Sequence, residues 1–251
     1  MLRAYHFPFE DLRSDEDMIA GNSLPWRIGE IRAYTPITRD AGDGETISQI
    51  GYRSSPTLWD AFLQADGPIA CLVEVSEPIS TEGDIETGFV QLSRERRLLA
   101  VRDLRSDLRL FACDCAERVL YLYEREFPGD DRPRRAIQVA RDHACDRATA
   151  GELRSAWILA GSAAEGARCG GAAQCAAMSV WGSATERAED AALTAIWPAG
   201  WVVADGKDAV GGGERAWQRT LFSRMIETAV SVARYADGAA VNAGVKLQSI
   251  P

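Results

Sequence analysis

Alanine is spread so unevenly along this chain that it divides the chain in two. Residues 108–251 hold 31 alanines and residues 1–107 hold 8. Alanine is the best helix former, since it loses no side-chain freedom in a helix, so the second stretch is predicted to be all helix. Small alanine faces also let helix axes approach closely, which suits an orthogonal or solenoid-like bundle. No period is strict enough to make it a repeat.

Within that stretch the apolar spacing outlines the helices. Phe111, Cys115, Val119 and Leu122 recur on one helical face, and the helix stops near Phe127-Pro128-Gly129. Asp130 and Asp131 stand where an N-cap belongs, with Pro133 just inside, and Ile137, Ala140, Ala144 and Ala148 give the next helix its stripe. Glu152 to Arg168 is a third helix. Ala172 to Ala192 is one helix, or two broken at Gly182-Ser183. Trp197-Pro198-Ala199-Gly200-Trp201 reads as a loop and Gly211-Gly212-Gly213 as a flexible hinge, before a last helix with Trp217, Leu221, Met225, Thr228 and Val232 in register.

The first hundred residues read differently, as short strands between turns. Leu2 to Phe7, Ile28 to Ile37, Ile47 to Arg53, Phe89 to Leu92 and Leu98 to Leu104 are strand candidates. Ile69 to Val75 is the strongest, being rich in β-branched residues and bounded by Gly67-Pro68 and Pro78. A single helix is predicted over Pro56 to Ala65, capped by Ser54 or Ser55. The architecture expected is an α+β N-terminal domain, residues 1–105, followed by an all-α helical-bundle C-terminal domain, residues 106–251.

Charge follows the same division. Residues 1–107 carry 11 basic and 19 acidic side chains, residues 108–251 carry 17 and 18, and the whole chain has a formal net charge of −9. A chain of that sign repels phosphate backbones and anionic lipid, so nucleic acid is a poor partner. No apolar run approaches the roughly 20 residues of a membrane helix. No secretory signal precedes the six cysteines, which predicts a reducing, cytoplasmic setting.

The local motifs for chemistry are incomplete. His143 and Cys145 are two residues apart and do not face each other on a helix. Cys113-Asp114-Cys115 lacks the spacer of a zinc knuckle, and buried small thiols account for it, so no metal is expected. No Lys-Ser/Thr follows the triple glycine, which excludes a phosphate loop. The densest charge cluster is Arg132, Arg134 and Arg135, with Arg141 one to two turns on. These guanidinium groups can pair with a partner's carboxylates, and capping aspartates with solvated arginines account for the same residues. Trp197 and Trp201, flanking the Pro-Gly segment, are the tryptophans best placed to serve an interface.

Residues 111–141, with the Cys-Ala start, Phe127-Pro128-Gly129 and the entry Asp130-Asp131-Arg132-Pro133-Arg134-Arg135-Ala136-Ile137, resemble the opening of a bacterial helical family named as immunity proteins for its association with polymorphic toxins. The resemblance covers about residues 110–237. It implies a protein that needs no cofactor and binds a protein partner, such as a toxin, through Arg132, Arg134, Arg135, Arg141, Trp197 and Trp201. The front half, through Ala4-Tyr5-His6-Phe7, Gly51-Tyr52-Arg53-Ser54-Ser55-Pro56 and the Cys71–Val75 strand, resembles a bacterial and phage domain of unknown function. Its order of parts is similar to small ADP-ribosyltransferases of the rifamycin-modifying type. That likeness implies an alternative, NAD-dependent activity in which His6 and Tyr52 frame the nicotinamide ribose. Asp84, or else Glu86, then steadies the developing positive charge, while Arg53, Ser54 and Ser55 hold the diphosphate.

Overall fold

The computed structural model describes residues 1–13, 24–34, 37–40, 46–49, 51–84, 87–167, 171–204 and 211–227. Strands occupy the first part of the chain and helices the rest, the last strand ending at Asp103 and the first long helix beginning at Arg105.

The strands are β1 (Leu2–His6), β2 (Ile31–Ala33), β3 (Ile37–Asp40), β4 (Thr46–Gln49), β5 (Tyr52–Ser54), β6 (Ile69–Val75), β7 (Ser80–Asp84), β8 (Gly88–Ser93) and β9 (Glu95–Asp103). One four-stranded sheet runs in the order β1-β6-β9-β2, one three-stranded sheet in the order β5-β8-β7, and β3 pairs with β4. All pairings are antiparallel. The two larger sheets are joined where Tyr5 and Ser55 exchange backbone hydrogen bonds of 2.8 Å. Strand β6 matches its predicted bounds because it is central and bears apolar residues on both faces: Ile69, Ala70, Cys71, Val73 and Val75 are all buried.

The single predicted helix of this half is α1 (Leu58–Leu63). Its cap is not Ser54 or Ser55, which lie in and beside β5, but Thr57, whose hydroxyl accepts from the Asp60 N–H at 3.1 Å and donates to the Asp60 carboxylate at 2.6 Å. Gly88 lets β8 pass directly under α1. It has φ +85°, and a Cβ there would stand 3.0 Å from the Asp60 carbonyl oxygen. The predicted strand Ile28–Ile37 is two strands, β2 and β3, and Ile47–Arg53 is likewise divided between β4 and β5.

Six helices follow among the described residues: α2 (Arg105–Glu126), α3 (Arg132–Ala144), α4 (Ala150–Gly166), α5 (Ala172–Ser183), α6 (Ala188–Ala204) and α7 (Gly211–Phe222), the last running into a π-helical turn, Ser223–Glu227. Helix α2 is the axis of the bundle. It packs against α3, α5, α6 and α7, so it is buried on more than one side, with Phe111, Ala112, Cys113, Cys115 and Ala116 all at 0% exposure. Helices α5 and α6 meet at Gly182, where a Cβ would lie 2.8 Å from the Thr194 carbonyl carbon. That closeness is what the alanine-rich sequence makes possible.

Two predicted breaks are helical instead. The Trp197–Trp201 segment, read as a loop, lies inside α6 with Pro198 in the helix interior. Proline there forfeits one hydrogen bond, but Ala191, Ala192, Ala195, Ile196 and Ala199, all fully buried, hold the helix through it. The Gly211-Gly212-Gly213 hinge is the first turn of α7, where backbone N–H groups have no intrahelical partner in any case. Asp131 is the residue before α3, yet it makes no side-chain cap. Asp130 accepts instead from the Tyr123 hydroxyl at 2.6 Å and from the Arg132 backbone N–H at 3.1 Å. Thr228 and Val232, placed in register with the last helix, lie outside the described residues.

The apolar core has three parts. One lies inside the helical bundle, one between β6, β9 and the Trp26-Tyr34-Tyr52 aromatics, and one between them. The middle part draws Phe7, Trp59, Phe62 and Ala70 from before residue 105, and Phe111, Ala195, Ile196, Phe222 and Ile226 from after it. The Phe62 ring meets those of Phe7, Trp59, Phe111 and Phe222 at centroid separations between 4.8 and 6.4 Å.

Candidate functional site

His6 ends β1 opposite Cys71 of β6 and is 8% exposed. On one side of it is a narrow recess whose wall includes Arg53, Ser54, Ser55 and Gln64. The structure therefore brings together His6 and the three residues proposed to hold a diphosphate. The Ser54 hydroxyl is buried there without a hydrogen-bond partner, Gln64 is turned to donate to the Thr87 carbonyl at 2.7 Å, and Arg53 stands 3.9 Å from Asp66. On the other side His6 borders a second recess with Trp26, Cys71 and Arg96.

Tyr52 and Asp84 line neither recess. Tyr52 is 3% exposed, edge-on to Trp26 and Tyr34, with the Arg96 guanidinium 4.5 Å over its ring. Asp84 is exposed and caps the β7–β8 turn, accepting from the Thr87 N–H at 2.8 Å and hydroxyl at 3.0 Å. Register fixes their separation. Tyr52 pairs with Ser93 and Asp84 with Gly88, at opposite ends of β8, or about 17 Å apart along the strand. Glu86 lies outside the described residues. The recess at His6 is thus lined by hydroxyl, amide and guanidinium groups, and the carboxylate of Asp84 is well away from Tyr52.

The buried cysteines are held as thiols. Burial pushes Cys71 and Cys113 up to about 12 and Cys115 well above its ordinary value, the nearby Glu214 adding to the effect on Cys115. A thiol protonated in the fold but free to ionise once unfolded stabilises the fold below its unfolded value. That stability is lost as pH rises from about 9 toward 12, at up to about 1.4 kcal/mol per thiol per pH unit. Tyr123, also pushed up to about 12 by burial and by Asp130, adds to the loss above about pH 10. The urea midpoint is therefore expected to fall steeply between pH 9 and 11. Under native conditions Ellman's reagent should modify exposed Cys145 and leave Cys71, Cys113 and Cys115 untouched. Among the described residues no group of three His, Cys, Asp or Glu side chains is placed to hold a metal ion.

The arginine cluster lies on the face shared by α2 and α3, and each member has an acidic neighbour in its own chain. Arg132 pairs with Asp130 at 2.5 Å, Arg134 with Glu124 at 2.7 Å, Arg135 with Asp131 at 2.7 Å, and Arg141 with Asp114 and Glu117, both at 2.6 Å. Hydrogen bonds from Arg132, and from the Tyr123 hydroxyl, hold the Asp130 carboxyl well below the usual carboxylate range. The face is an alternation of signs rather than a basic patch. Trp197, half-buried on α6, lies under the Arg215 guanidinium at 4.2 Å, and Trp217 under Arg118 at 4.3 Å, so α7 is clasped to the bundle by two cation–π contacts. Trp201 is in α6 as well, its side chain outside the described residues.

Sequence reasoning missed Arg109, which is 3% exposed in α2. Its guanidinium donates to the carbonyls of Ser183 at 3.3 Å, Thr185 at 2.7 Å and Glu186 at 2.6 Å, closing the C-terminal end of α5. An arginine so buried carries no local signature, because its three acceptors are more than seventy residues away in sequence.

Residues 100–224 match the family model described as "Imm-5 like putative immunity protein". The match spans the end of β9 and the six long helices, and leaves residues 1–99 outside it. No curated protein and no solved structure matches the chain. No helix among the described residues is long and apolar enough to cross a membrane.

Proposed function

We propose, taking the match of residues 100–224 to an immunity-protein family as the premise, that this is a cytoplasmic interaction protein that binds a toxin and blocks it. That match is the observation that carries the reading. The α2–α3 face supports it physically. Arg134 and Arg135 are 58% and 75% exposed, and exposed ion pairs are individually worth little, typically under about 1 kcal/mol. Each arginine can therefore leave its own carboxylate for a partner's at small cost, and the alternation of signs sets register and speeds encounter. Half-buried Trp197 supplies an aromatic edge on α6, with Trp201 in the same helix.

The test is co-expression with each toxin encoded beside this gene, scored by survival of the host. Protection is expected from the natural chain. The double change Arg134→Glu and Arg135→Glu, which leaves the buried core untouched, should weaken the complex about tenfold or more through a slower association rate. Absence of protection against every such toxin would remove the reading.

A further inference from the structure

Helix α4 turns Leu153, Ala156, Ala160, Ala163 and Ala164 into the bundle. Its opposite side bears Ile158 and Leu159, which are 53% and 49% exposed although apolar. Between Arg154 and Glu165 the sequence has no charged residue. At about 100° of rotation per residue, Gly151, Ser155, Ile158, Ser162 and Gly166 form one outer ridge, with Leu159 on one flank and Arg154 and Glu165 together on the other. Trp157 backs this stripe, tilted against Trp181 at 5.5 Å between ring centroids.

About the point between Ile158 and Leu159 the small residues of the ridge repeat in both directions: Gly151 mirrors Gly166 and Ser155 mirrors Ser162, with Ile158 on the ridge and Leu159 on its flank next to that point. A twofold axis at that point, relating two antiparallel helices, maps each flank onto itself. Small residues then face small residues, the two Leu159 side chains meet, and Arg154 of one copy arrives beside Glu165 of the other, offset by about 3 Å along the axis. The second Arg–Glu pair forms by symmetry. Within one chain these two residues are about 16 Å apart along the helix, so their pairing is between copies, with Glu165 exchanging the interaction it has in its own chain for Arg154 of the second.

We propose that α4 is an isologous dimer interface whose occupant is the α4 of a second copy of this chain. Charge complementarity across the twofold selects this occupant, and the uncharged ridge is where two chains of net charge −9 can touch. A helix of 17 residues is about 25 Å long, and one face of it falls short of the roughly 800 Å² per partner of a standard interface, so the dimer is weak.

Sedimentation equilibrium of the full chain tests this. A monomer–dimer equilibrium with Kd of roughly 10–100 µM is expected. Arg154→Glu should weaken it about tenfold, adding Glu165→Arg to that variant should restore it, and Ile158→Asp should abolish it, with circular dichroism unchanged throughout. A monomer at every concentration would overturn the proposal. So would a dimer that Arg154→Glu leaves unmoved, or a reversed pair that fails to recover.

Discussion

Replacing Phe62 by alanine is expected to lower stability by about 3–5 kcal/mol, a large part of the roughly 5–15 kcal/mol that holds a domain folded. Phe62 has no exposed surface and contacts four aromatic rings drawn from β1's end, α1, α2 and α7. Truncation leaves a cavity whose walls belong to both the sheets and the helices, and neither can close it without moving against the other. The effect should therefore reach both parts. Near-ultraviolet dichroism, reporting the tryptophans, and far-ultraviolet dichroism, reporting the helices, should shift together in urea. Two separated transitions, with the helical one unmoved, would show that this aromatic junction does not couple them.

The second large effect is at Arg109. Its guanidinium satisfies three carbonyls at and just past the end of α5 at distances down to 2.6 Å, and Glu189, 1% exposed, is near enough to act on it electrostatically. Burial lowers its pKa. Arg109→Ala removes the shared donor and leaves the carbonyls of Ser183, Thr185 and Glu186 without it, which is expected to cost about 3–5 kcal/mol. Arg109→Lys keeps the charge but cannot reach three acceptors at once, and should recover less than half of that. Comparing urea midpoints of the two variants separates the geometric part from the charge. Equal loss in both would assign the effect to hydrogen-bond geometry alone, and full recovery by lysine would assign it to charge.

What the sequence made legible was the part governed by local periodicity. The change of alanine content marked where strands give way to helix, and β6 was readable because a central strand carries its apolar run uninterrupted. The end of α2 near Phe127 followed from Pro128-Gly129. Misreadings came where tertiary packing overrode a local breaker, as at Pro198 and Gly211–Gly213, or where an edge strand had no apolar pattern to show. Strand β7, Ser-Thr-Glu-Gly-Asp, is almost wholly exposed and went unread for that reason. The candidate sites divide the same way. His6 and Arg53 to Ser55 are adjacent because two strands happen to meet at Tyr5 and Ser55, a pairing invisible in sequence. The acidic partners of Arg134 and Arg141 come from α2, ten and twenty-four residues or more away, so an apparently basic cluster is a mixed one.

Binding and blocking of a toxin, the role proposed for this chain, is open to isothermal titration of the purified full chain into any toxin domain found encoded beside its gene. A saturable complex of fixed stoichiometry, with toxin activity lost in parallel with occupancy, is the predicted result. No heat of binding at 100 µM or so, well above the affinity any protective complex needs, together with undiminished toxin activity, would contradict it.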